Sequence, residues 1–364
     1  MNKITYPILE VDLAKLENNV RNIYERCHKS GIKLCAVVKG FTARPEMVKA
    51  VVRGGFDQLG TSRLSHIRSM KALGIEGPFM LLRIPQLCDL EEIAENVHYS
   101  LQSEMSVMEA LNEVCARVGK KHKVVLMFDL GDLREGYWDK AEGIADAVRV
   151  EKELECLELA GIGVNLGCYG SIKPTVEKMN ELIEIASEIE SAIGRKLEIV
   201  SGGATSSFGM VDGGVMPPEI NHLRMGEALS CLSDLPLGDI TYVPDYIKND
   251  LLTVKAQIVE IKFKATKPRG VLFRDAFGNT PEYPDYGDRM RAIVALGRHD
   301  IAEFNYLTPL EEGIKILGGS SDHMILDVED CRTALAVGDI LSFRPGYGGQ
   351  MFSTCTPDMN IVYK

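Results

Sequence analysis

Residues 34–40 read LCAVVKG, an apolar run that leads directly into a lysine and a glycine. A short continuous apolar run is typical of a strand buried on both faces, as in a parallel sheet. Lysine rarely tolerates full burial, so Lys39 either extends its stem to solvent or has a chemical task. That task would be a Schiff base, formed by an amine made nucleophilic through desolvation or a neighbouring cation. By itself, this stretch favours the solvent-exposed lysine.

Similar strands recur along the first two-thirds of the chain and alternate with segments of helical periodicity. Eight such pairs favour a (β/α)8 barrel, although an open parallel sheet remains an alternative because periodicity does not report closure. The predicted strands are 8–12, 33–39, 56–61, 78–82, 98–102, 123–129, 155–165 and 196–203. The predicted helices are about 13–29, 45–53, 63–72, 89–95, 104–118, 138–151 and 173–192, with a short one after 204.

After about residue 240 the pattern changes to β-like runs separated by Gly, Pro and Asp turns, and no long helix is predicted. The predicted fold class is therefore α/β, with a (β/α)8 (TIM-type) barrel followed by a mainly β C-terminal domain. We place the barrel domain at 8–240 and the β domain at 241–364, together with 1–7.

The composition is that of an ordinary globular protein, with 45% hydrophobic and 26% charged residues. A net charge of −11 argues against a nucleic-acid or anionic-membrane surface, because both need basic patches. We find no apolar run long enough for a transmembrane helix and no signal peptide. The nine cysteines are scattered without a CxxC pair, which indicates buried thiols in a reducing cytoplasm.

Polar residues follow several predicted strands, and in a barrel such positions face the active site. In FDLGDLREG (128–136), Asp129 could orient a cation and Arg134 could bind a carboxylate with its planar fork. In GVNLGCYG (163–170), Asn165 and Tyr169 lie among glycines that let the backbone approach a ligand closely. Each stretch is also compatible with an ordinary polar loop or turn.

A glycine- and hydroxyl-rich stretch, VSGGATSSFG (200–209), follows a late strand and opens a helix. Backbone N–H groups, hydroxyls and a helix N-terminus are donors that bind phosphate, although an ordinary N-cap uses the same residues. Further on, Arg224 lies inside the apolar segment INHLRMGEAL (220–229), where a buried guanidinium needs an acceptor. That acceptor could be a structural carboxylate or a ring nitrogen of a cofactor.

Two polar clusters lie in the β domain, ALGRHDI (295–301) and GGSSDHMILDV (318–328). A hairpin turn is the simpler interpretation of the second cluster. Asp322 and His323 do not form a metal site by spacing, because adjacent strand residues point to opposite faces. We therefore predict no metal.

In their order along the chain, these stretches resemble the fold type III pyridoxal phosphate enzymes of the alanine racemase-like family, and within it the ornithine racemase-type branch. AVVKG is similar to the family's strand-end Schiff-base lysine, and DLGDLREG to its aspartate–glycine–arginine stretch. NLGCYG, SGGATSS, LRMGEAL and SSDHMILDV match the branch in order and approximate spacing. The resemblance covers nearly the whole chain. It implies a racemase that inverts ornithine or another basic amino acid by two-base α-proton transfer.

The resemblance also implies roles for individual residues. Lys39 would hold pyridoxal 5′-phosphate and act as one of the two bases, and Arg224 would face the pyridine nitrogen. The substrate contacts implied are Arg134, Tyr169, Ser321 and Asp322. The further cofactor contacts implied are Asn165, Ser201, Gly203, Thr205, Ser206, Gly226, Glu227 and Tyr347.

The second base is where this chain departs from alanine racemases proper, which carry a tyrosine after a glycine in the β domain. At the comparable place this chain reads ALGRHD. His299, Asp300 and His323 are therefore the candidates for the group opposite Lys39. In the family, the β domain of one subunit closes the site of its partner. This implies a head-to-tail homodimer in which these residues act in trans.

Two other functions stay open. A fold-related, metal-assisted D-amino acid aldolase or dehydratase would need a metal-ligand pair in the β domain. A non-catalytic pyridoxal phosphate-binding protein would resemble the barrel alone. A basic substrate would need a carboxylate for its cationic side chain, and the sequence does not choose among Asp132, Glu135, Glu227 and Asp322.

Overall fold

The computed structural model describes residues 5–364, and its contacts divide the chain into two units. One unit is Ala14–Lys248, and the other combines the residues up to Leu13 with Asn249–Lys364. Strand β1 (Ile8–Val11) belongs to the second unit, whereas the sequence pattern had made it the first barrel strand. A short apolar run indicates burial but not the sheet that it joins, and this is why that prediction was wrong.

The unit Ala14–Lys248 contains a closed barrel in which eight parallel strands pair in chain order. The last strand, His222–Met225, closes the barrel on the first, with Arg224 opposite Cys35. This last strand is absent from the strands predicted above, because His222 and Arg224 interrupt its apolar pattern. The barrel strands are β2 (Lys33–Val37), β3 (Gln58–Thr61), β4 (Phe79–Leu81), β5 (Tyr99–Gln102), β6 (His122–Phe128), β7 (Leu157–Val164), β8 (Ile199–Ser201) and β9 (His222–Met225).

Alternate strand residues fill the barrel with apolar side chains. Cys35 and Val37 of β2 belong to a buried cluster that also includes Met127 of β6. Glycine allows close strand contact, since a Cβ at Gly161 of β7 would lie 1.8 Å from the carbonyl oxygen of Ile199 on β8. The barrel is therefore a packed core, and ligands must bind at a rim of it.

Helices connect the strands and begin where the sequence supplies caps. Pro45 is a first helical residue, where its missing N–H has no helical partner to lose. Asp139 Oδ1 accepts the N–H of Ala141, and Gly194, with φ of 75°, ends the longest helix. The helices are α1 (Leu13–Lys29), α2 (Pro45–Gly54), α3 (Leu64–Ala72), α4 (Leu90–Asn96), α5 (Met105–Val118), α6 (Lys140–Glu153), α7 (Val176–Ile193), α8 (Phe208–Asp212) and α9 (Glu227–Ser230). Short 3₁₀ turns occupy Lys39–Phe41, Leu87–Asp89 and Thr205–Ser207, and β10 (Leu235–Leu237) pairs with β11 (Ile240–Tyr242).

The second unit is a mainly antiparallel sheet organised around its longest strand, Leu252–Ala265. That strand pairs on one side with β1, which in turn pairs in parallel with the C-terminal strand Asn360–Tyr363. The elements are β12 (Leu252–Ala265), β13 (Asp288–Val294), α10 (Arg298–Ile301), β14 (Leu307–Pro309), β15 (Lys315–Gly319), β16 (Met324–Asp327), β17 (Ile340–Pro345), α11 (Tyr347–Cys355) and β18 (Asn360–Tyr363). Strands β14, β17, β12, β13, β16 and β15 follow one another across the sheet.

The predicted fold class is confirmed, because a closed eight-stranded parallel barrel and a mainly β unit are both present. Helix α11 was not predicted, because its sequence YGGQMFSTC has two glycines in its first turn and carries a weak apolar pattern. Within residues 5–364, no helix combines the length and the apolar character that crossing a membrane requires.

Candidate active site

Most of the predicted site residues of the barrel unit follow the carboxyl ends of its strands, which is where barrel enzymes act. Lys39 follows β2, and Arg134 lies in the loop after β6. Asn165 follows β7, and Ser201 ends β8. Arg224 lies in β9, beside Cys35 of β2. Five separate segments of sequence therefore supply polar groups to one rim of the barrel.

Lys39 is partly buried in the 3₁₀ turn directly after β2. Burial is the main cause that lowers the pKa of its amine, and the nearby Arg134 guanidinium lowers this pKa further. Arg224 acts in the same direction, whereas Cys168 and Glu135 oppose it. The neutral amine is thus favoured more than in an ordinary lysine, and a neutral amine can attack a carbonyl or accept a proton.

Arg134 is held by the residue that follows it. Its guanidinium pairs with the carboxylate of Glu135, with a distance of 2.6 Å between Nη2 and Oε1. Arg134 Nη1 also contacts the Sγ of Cys168 at 2.7 Å. Asp129, by contrast, accepts the N–H groups of Gly131 and Leu133, so its carboxylate shapes the turn that presents Arg134.

Arg224 is a buried cation, only 4% exposed, whose hydrogen-bond acceptors are all neutral. Its Nη2 donates to the carbonyl oxygen of Val164 at 2.8 Å and to Asn165 Oδ1 at 2.7 Å, and its Nη1 donates to Ser201 Oγ. Burial lowers the pKa of this guanidinium to about 10. Asn165 in turn donates to Glu135, so an amide separates Arg224 from this carboxylate. A buried cation without a direct carboxylate partner indicates a place for an additional acceptor.

The glycine- and hydroxyl-rich stretch forms a tight turn after β8. Gly203 has a φ of 111°, which L side chains rarely adopt, and the 3₁₀ turn Thr205–Ser207 follows it. Ser206 Oγ donates to the carbonyl oxygen of Leu166 at 2.7 Å, and Thr205 Oγ1 accepts the N–H of Ala228 at 3.2 Å. The first N–H groups of such a turn have no partner within it, so they can bind an anion.

Gly226 and Glu227 lie at the start of α9. The Glu227 Oε1 accepts both the hydroxyl of Ser233, at 2.7 Å, and its N–H, at 3.3 Å. The Glu227 carboxylate is therefore engaged within its own loop, while its backbone lies next to the Thr205 turn through the Ala228 N–H. This arrangement agrees with a contact to an anion that uses the backbone of Gly226 and Glu227.

Asp132 organises the loop after β7. Its side chain is only 1% exposed and accepts the backbone N–H groups of Cys168, Tyr169 and Ile172 at 3.0–3.3 Å. Both oxygens are thus occupied, so Asp132 fixes the backbone rather than offering a free carboxylate to a substrate. The side chain of Tyr169 itself is 74% exposed.

The remaining predicted site residues lie in the β unit. His299 Nδ1 lies 3.5 Å from the Asp322 carboxylate, and both side chains are exposed. Ser321 Oγ donates to Asp322, and His323 is also exposed. Asp300 is buried and accepts the N–H of Gly297 at 2.8 Å, and burial raises the pKa of its carboxyl. Tyr347 begins α11.

Four site residues have roles that the sequence did not indicate. Glu135 joins Arg134 to Asn165, and Cys168 contacts Arg134. Gln58 and His222 lie behind Ser201 and extend the polar contacts of Arg224. The spacing of His222 and Arg224, two residues apart on one strand, is a signal that could have revealed His222 once the strand was recognised.

Within residues 5–364, no three His, Cys, Asp or Glu side chains are grouped so that they could hold a metal ion.

A closed parallel barrel with a partly buried lysine, a buried arginine and a glycine- and hydroxyl-rich turn at one rim is the arrangement expected of a barrel enzyme that works with a phosphorylated carbonyl ligand. The family model described as "Alanine racemase, N-terminal domain" matches residues 11–234, and the chain belongs to this family. The chain is similar to an ornithine racemase of Acetoanaerobium sticklandii, with 40% identity over 94% of this chain and 95% of that protein. It is also similar to a lysine racemase of Thermotoga maritima, with 35% identity over 99% of both chains.

Solved structures resemble the whole chain in fold. An alanine racemase of Bartonella henselae, solved with covalently bound pyridoxal phosphate, has a TM-score of 0.73 at 18% identity, covering 99% of this chain and 100% of that one. A D-threonine aldolase of Filomicrobium marinum has a TM-score of 0.72 at 17% identity, and the match covers 99% of this chain and 92% of that one. These structures share the fold, whereas the relatives above confirm the predicted family and enzyme class: the chain is a racemase.

Proposed function

We propose that this racemase acts on a basic amino acid, ornithine or lysine, and that Lys39 carries one of the two protons that are exchanged at the α-carbon. The observation that carries the role of Lys39 is its setting: burial and two guanidinium groups lower the pKa of an amine at the end of a barrel strand. The substrate class is supported by the two relatives, which are named as racemases of ornithine and of lysine.

The cofactor is pyridoxal 5′-phosphate, as the family resemblance implied, and the residues present fit it. The buried guanidinium of Arg224, with neutral partners only, suits a neutral ring nitrogen. The turn at Gly203, Thr205 and Ser206 suits the phosphate, together with the backbone of Gly226 and Glu227. We propose that Asn165, Ser201 and Tyr347 complete the set, with Lys39 as the point of attachment. When bound, the cofactor supplies an electron sink that acidifies the α-hydrogen of an attached amino acid.

At this rim of the barrel, each of the residues proposed to meet the substrate has a separate task. Lys39 Nζ accepts a proton from the α-carbon or returns one to it, which requires the neutral amine that its surroundings favour. Arg134 and Tyr169 are proposed to bind the substrate, with Arg134 facing its carboxylate or the cofactor's phenolic oxygen. Glu135 limits the motion of Arg134 through their ion pair.

The second proton carrier is proposed to come from His299, Asp300 or His323. Inversion needs a group on the opposite face from Lys39, with a pKa near the working pH. A raised pKa brings the Asp300 carboxyl towards that range. Asp322, with Ser321, is proposed to bind the cationic end of the substrate, because Asp322 is exposed whereas Asp132 is occupied.

The proposal includes a head-to-tail homodimer, in which these β-unit residues act in the barrel site of the partner. It also includes the barrel as the cofactor-binding domain, with a functional boundary near residue 240, and a cytoplasmic location. The location is supported by the nine cysteines, all of which are free thiols.

The test is a panel of single L- and D-amino acids incubated with the cofactor-loaded enzyme and separated by chiral chromatography. We expect ornithine or lysine to racemise fastest, and Lys39→Ala to abolish the reaction. Substitution to Ala at 299, 300 and 323, one at a time, identifies the second base by loss of exchange in one direction of the reaction. Cleavage of β-hydroxy amino acids without racemisation of any basic amino acid would contradict the proposal and indicate an aldolase.

A further inference from the structure

We propose that Gln58, His222 and Ser201 form a one-directional hydrogen-bond chain that positions the guanidinium of Arg224, and that His222 works as a neutral ring protonated on Nε2. The proposal rests on the function proposed above only for the effect on cofactor binding. The direction of donation along these hydrogen bonds concerns the protein alone and does not depend on the cofactor.

The hydrogen-bond chain is continuous and enclosed. Arg224 Nη1 donates to Ser201 Oγ, which lies 2.8 Å from His222 Nδ1, and His222 Nε2 lies 2.9 Å from Gln58 Oε1. None of these side chains belongs to a residue that is more than 4% exposed. His222 and Arg224 are two residues apart on β9, so they point to the same side of the strand.

The groups at the two ends fix the direction. A guanidinium only donates, so Ser201 Oγ accepts from Arg224. At the other end, Gln58 Oε1 only accepts, so His222 Nε2 carries the hydrogen that it donates to this oxygen. A neutral ring protonated on Nε2 leaves Nδ1 as an acceptor, and the Ser201 hydroxyl donates to it.

A protonated His222 would break this pattern. Its Nδ1–H would donate to Ser201 Oγ, and the serine hydroxyl would lose its acceptor. The ring would also place a second positive charge near Arg224 and Lys33, the two charged groups that act on it. In agreement, burial and then Arg224 lower the pKa of the His222 ring to about 3.

His222 thus acts through Ser201 as a positioning residue. With its acceptor present, Ser201 presents a lone pair to Arg224 in one orientation. Without that acceptor, the hydroxyl can rotate, and Arg224 loses a fixed partner at the pocket where the cofactor ring is expected. The predicted consequence is weaker cofactor binding, while the fold persists.

The experiment compares two variants at the same position. His222→Leu removes both hydrogen bonds, whereas His222→Gln retains one acceptor for Ser201 and one donor for Gln58. We expect His222→Leu to raise the dissociation constant of pyridoxal phosphate about three- to tenfold, the range expected for one hydrogen bond, and His222→Gln to stay within about twofold of the parent. The dissociation constant is measured by fluorescence titration of the cofactor-free protein, and circular dichroism verifies the fold.

A second readout does not depend on the cofactor. In protein labelled with ¹⁵N-histidine, the two ring nitrogens of His222 should show the shifts of a neutral ring protonated on Nε2 between about pH 5 and pH 8. The opposite tautomer, or titration in this range, overturns the proposal. A folded His222→Leu variant that binds pyridoxal phosphate with the parent's affinity also overturns the proposal. Equal losses of affinity in His222→Leu and His222→Gln overturn it as well. If His222→Leu does not fold, Gln58→Leu takes its place and should raise the dissociation constant, and an unchanged affinity in that folded variant overturns the proposal. If the parent protein binds no pyridoxal phosphate, the proposed function fails, while the nitrogen shifts still test the hydrogen-bond chain.

Discussion

The two most deeply buried histidines of the barrel predict an acid-sensitive fold. Burial lowers the pKa of His222 to about 3 and that of His122 to about 4, and in the unfolded chain both return to about 6.5. As the pH falls, the unfolded chain therefore binds protons first. The stability that these neutral rings contribute is complete above about pH 6.5 and is lost towards pH 3–4.

The size of the effect follows from these values. About pH 5 is about 1.5 units below the pKa of a histidine in the unfolded chain, and each pH unit corresponds to about 1.4 kcal/mol of unfolding free energy. Each ring therefore accounts for a loss of about 2 kcal/mol between pH 7.5 and pH 5, or about 4 kcal/mol for His122 and His222 together. Such a loss is large compared with the total stability of about 5–15 kcal/mol that is typical of proteins.

The assay is urea unfolding of the cofactor-free protein at the two pH values, followed by circular dichroism. His222→Gln should reduce the pH-dependent loss by about 2 kcal/mol, because glutamine does not titrate. A parent protein whose pH-dependent loss equals that of His222→Gln would refute the reasoning.

Three further predictions concern the barrel unit. Asp132→Asn replaces one accepting oxygen by a donor that faces a backbone N–H, so it should lower the free energy of unfolding by about 2–3 kcal/mol. The loop after β7 should then become sensitive to limited proteolysis, and resistance equal to the parent's would contradict this. Gly161→Ala should lower the free energy of unfolding, measured with urea, by about 3 kcal/mol because its Cβ would overlap the Ile199 carbonyl. Gly214→Ala is the control: its Cβ would lie in open space, but at a φ of 68°, so it should lower this free energy by only about 1–2 kcal/mol. Lys39→Met should raise the melting temperature of the cofactor-free protein near pH 7, because the lowered pKa of Lys39 means that its charged form is destabilised by folding. This gain should shrink as the pH rises towards 10.5, and a gain that is independent of pH would contradict the burial argument.

Most of the barrel could be predicted from the sequence, because buried parallel strands and amphipathic helices have distinct local patterns. The helix predicted at 13–29 is Leu13–Lys29 in the structure. The two errors in the barrel strands have one physical cause. Strand β1 looks like a barrel strand because it is apolar, and β9 does not look like one because it carries His222 and Arg224. Which sheet a strand joins depends on contacts distant in sequence.

The same limit applies to the site. Lys39 could be chosen as a candidate because it ends an apolar run, and Arg224 because it interrupts one. The sequence could not show that Glu135 links Arg134 to Asn165, or that Asp132 is already occupied by three backbone N–H groups. These contacts join segments from different strands, and side-chain hydrogen bonds of this kind leave no local pattern.

The central claim is that Lys39, at the end of β2, carries the cofactor. The direct measurement is borohydride reduction of the cofactor-loaded enzyme, followed by proteolysis and mass spectrometry of the peptides. We predict that the mass of the reduced cofactor lies on the peptide that contains Lys39, and that Lys39→Ala carries none. Attachment to another lysine, or full racemase activity in Lys39→Ala, would contradict the account.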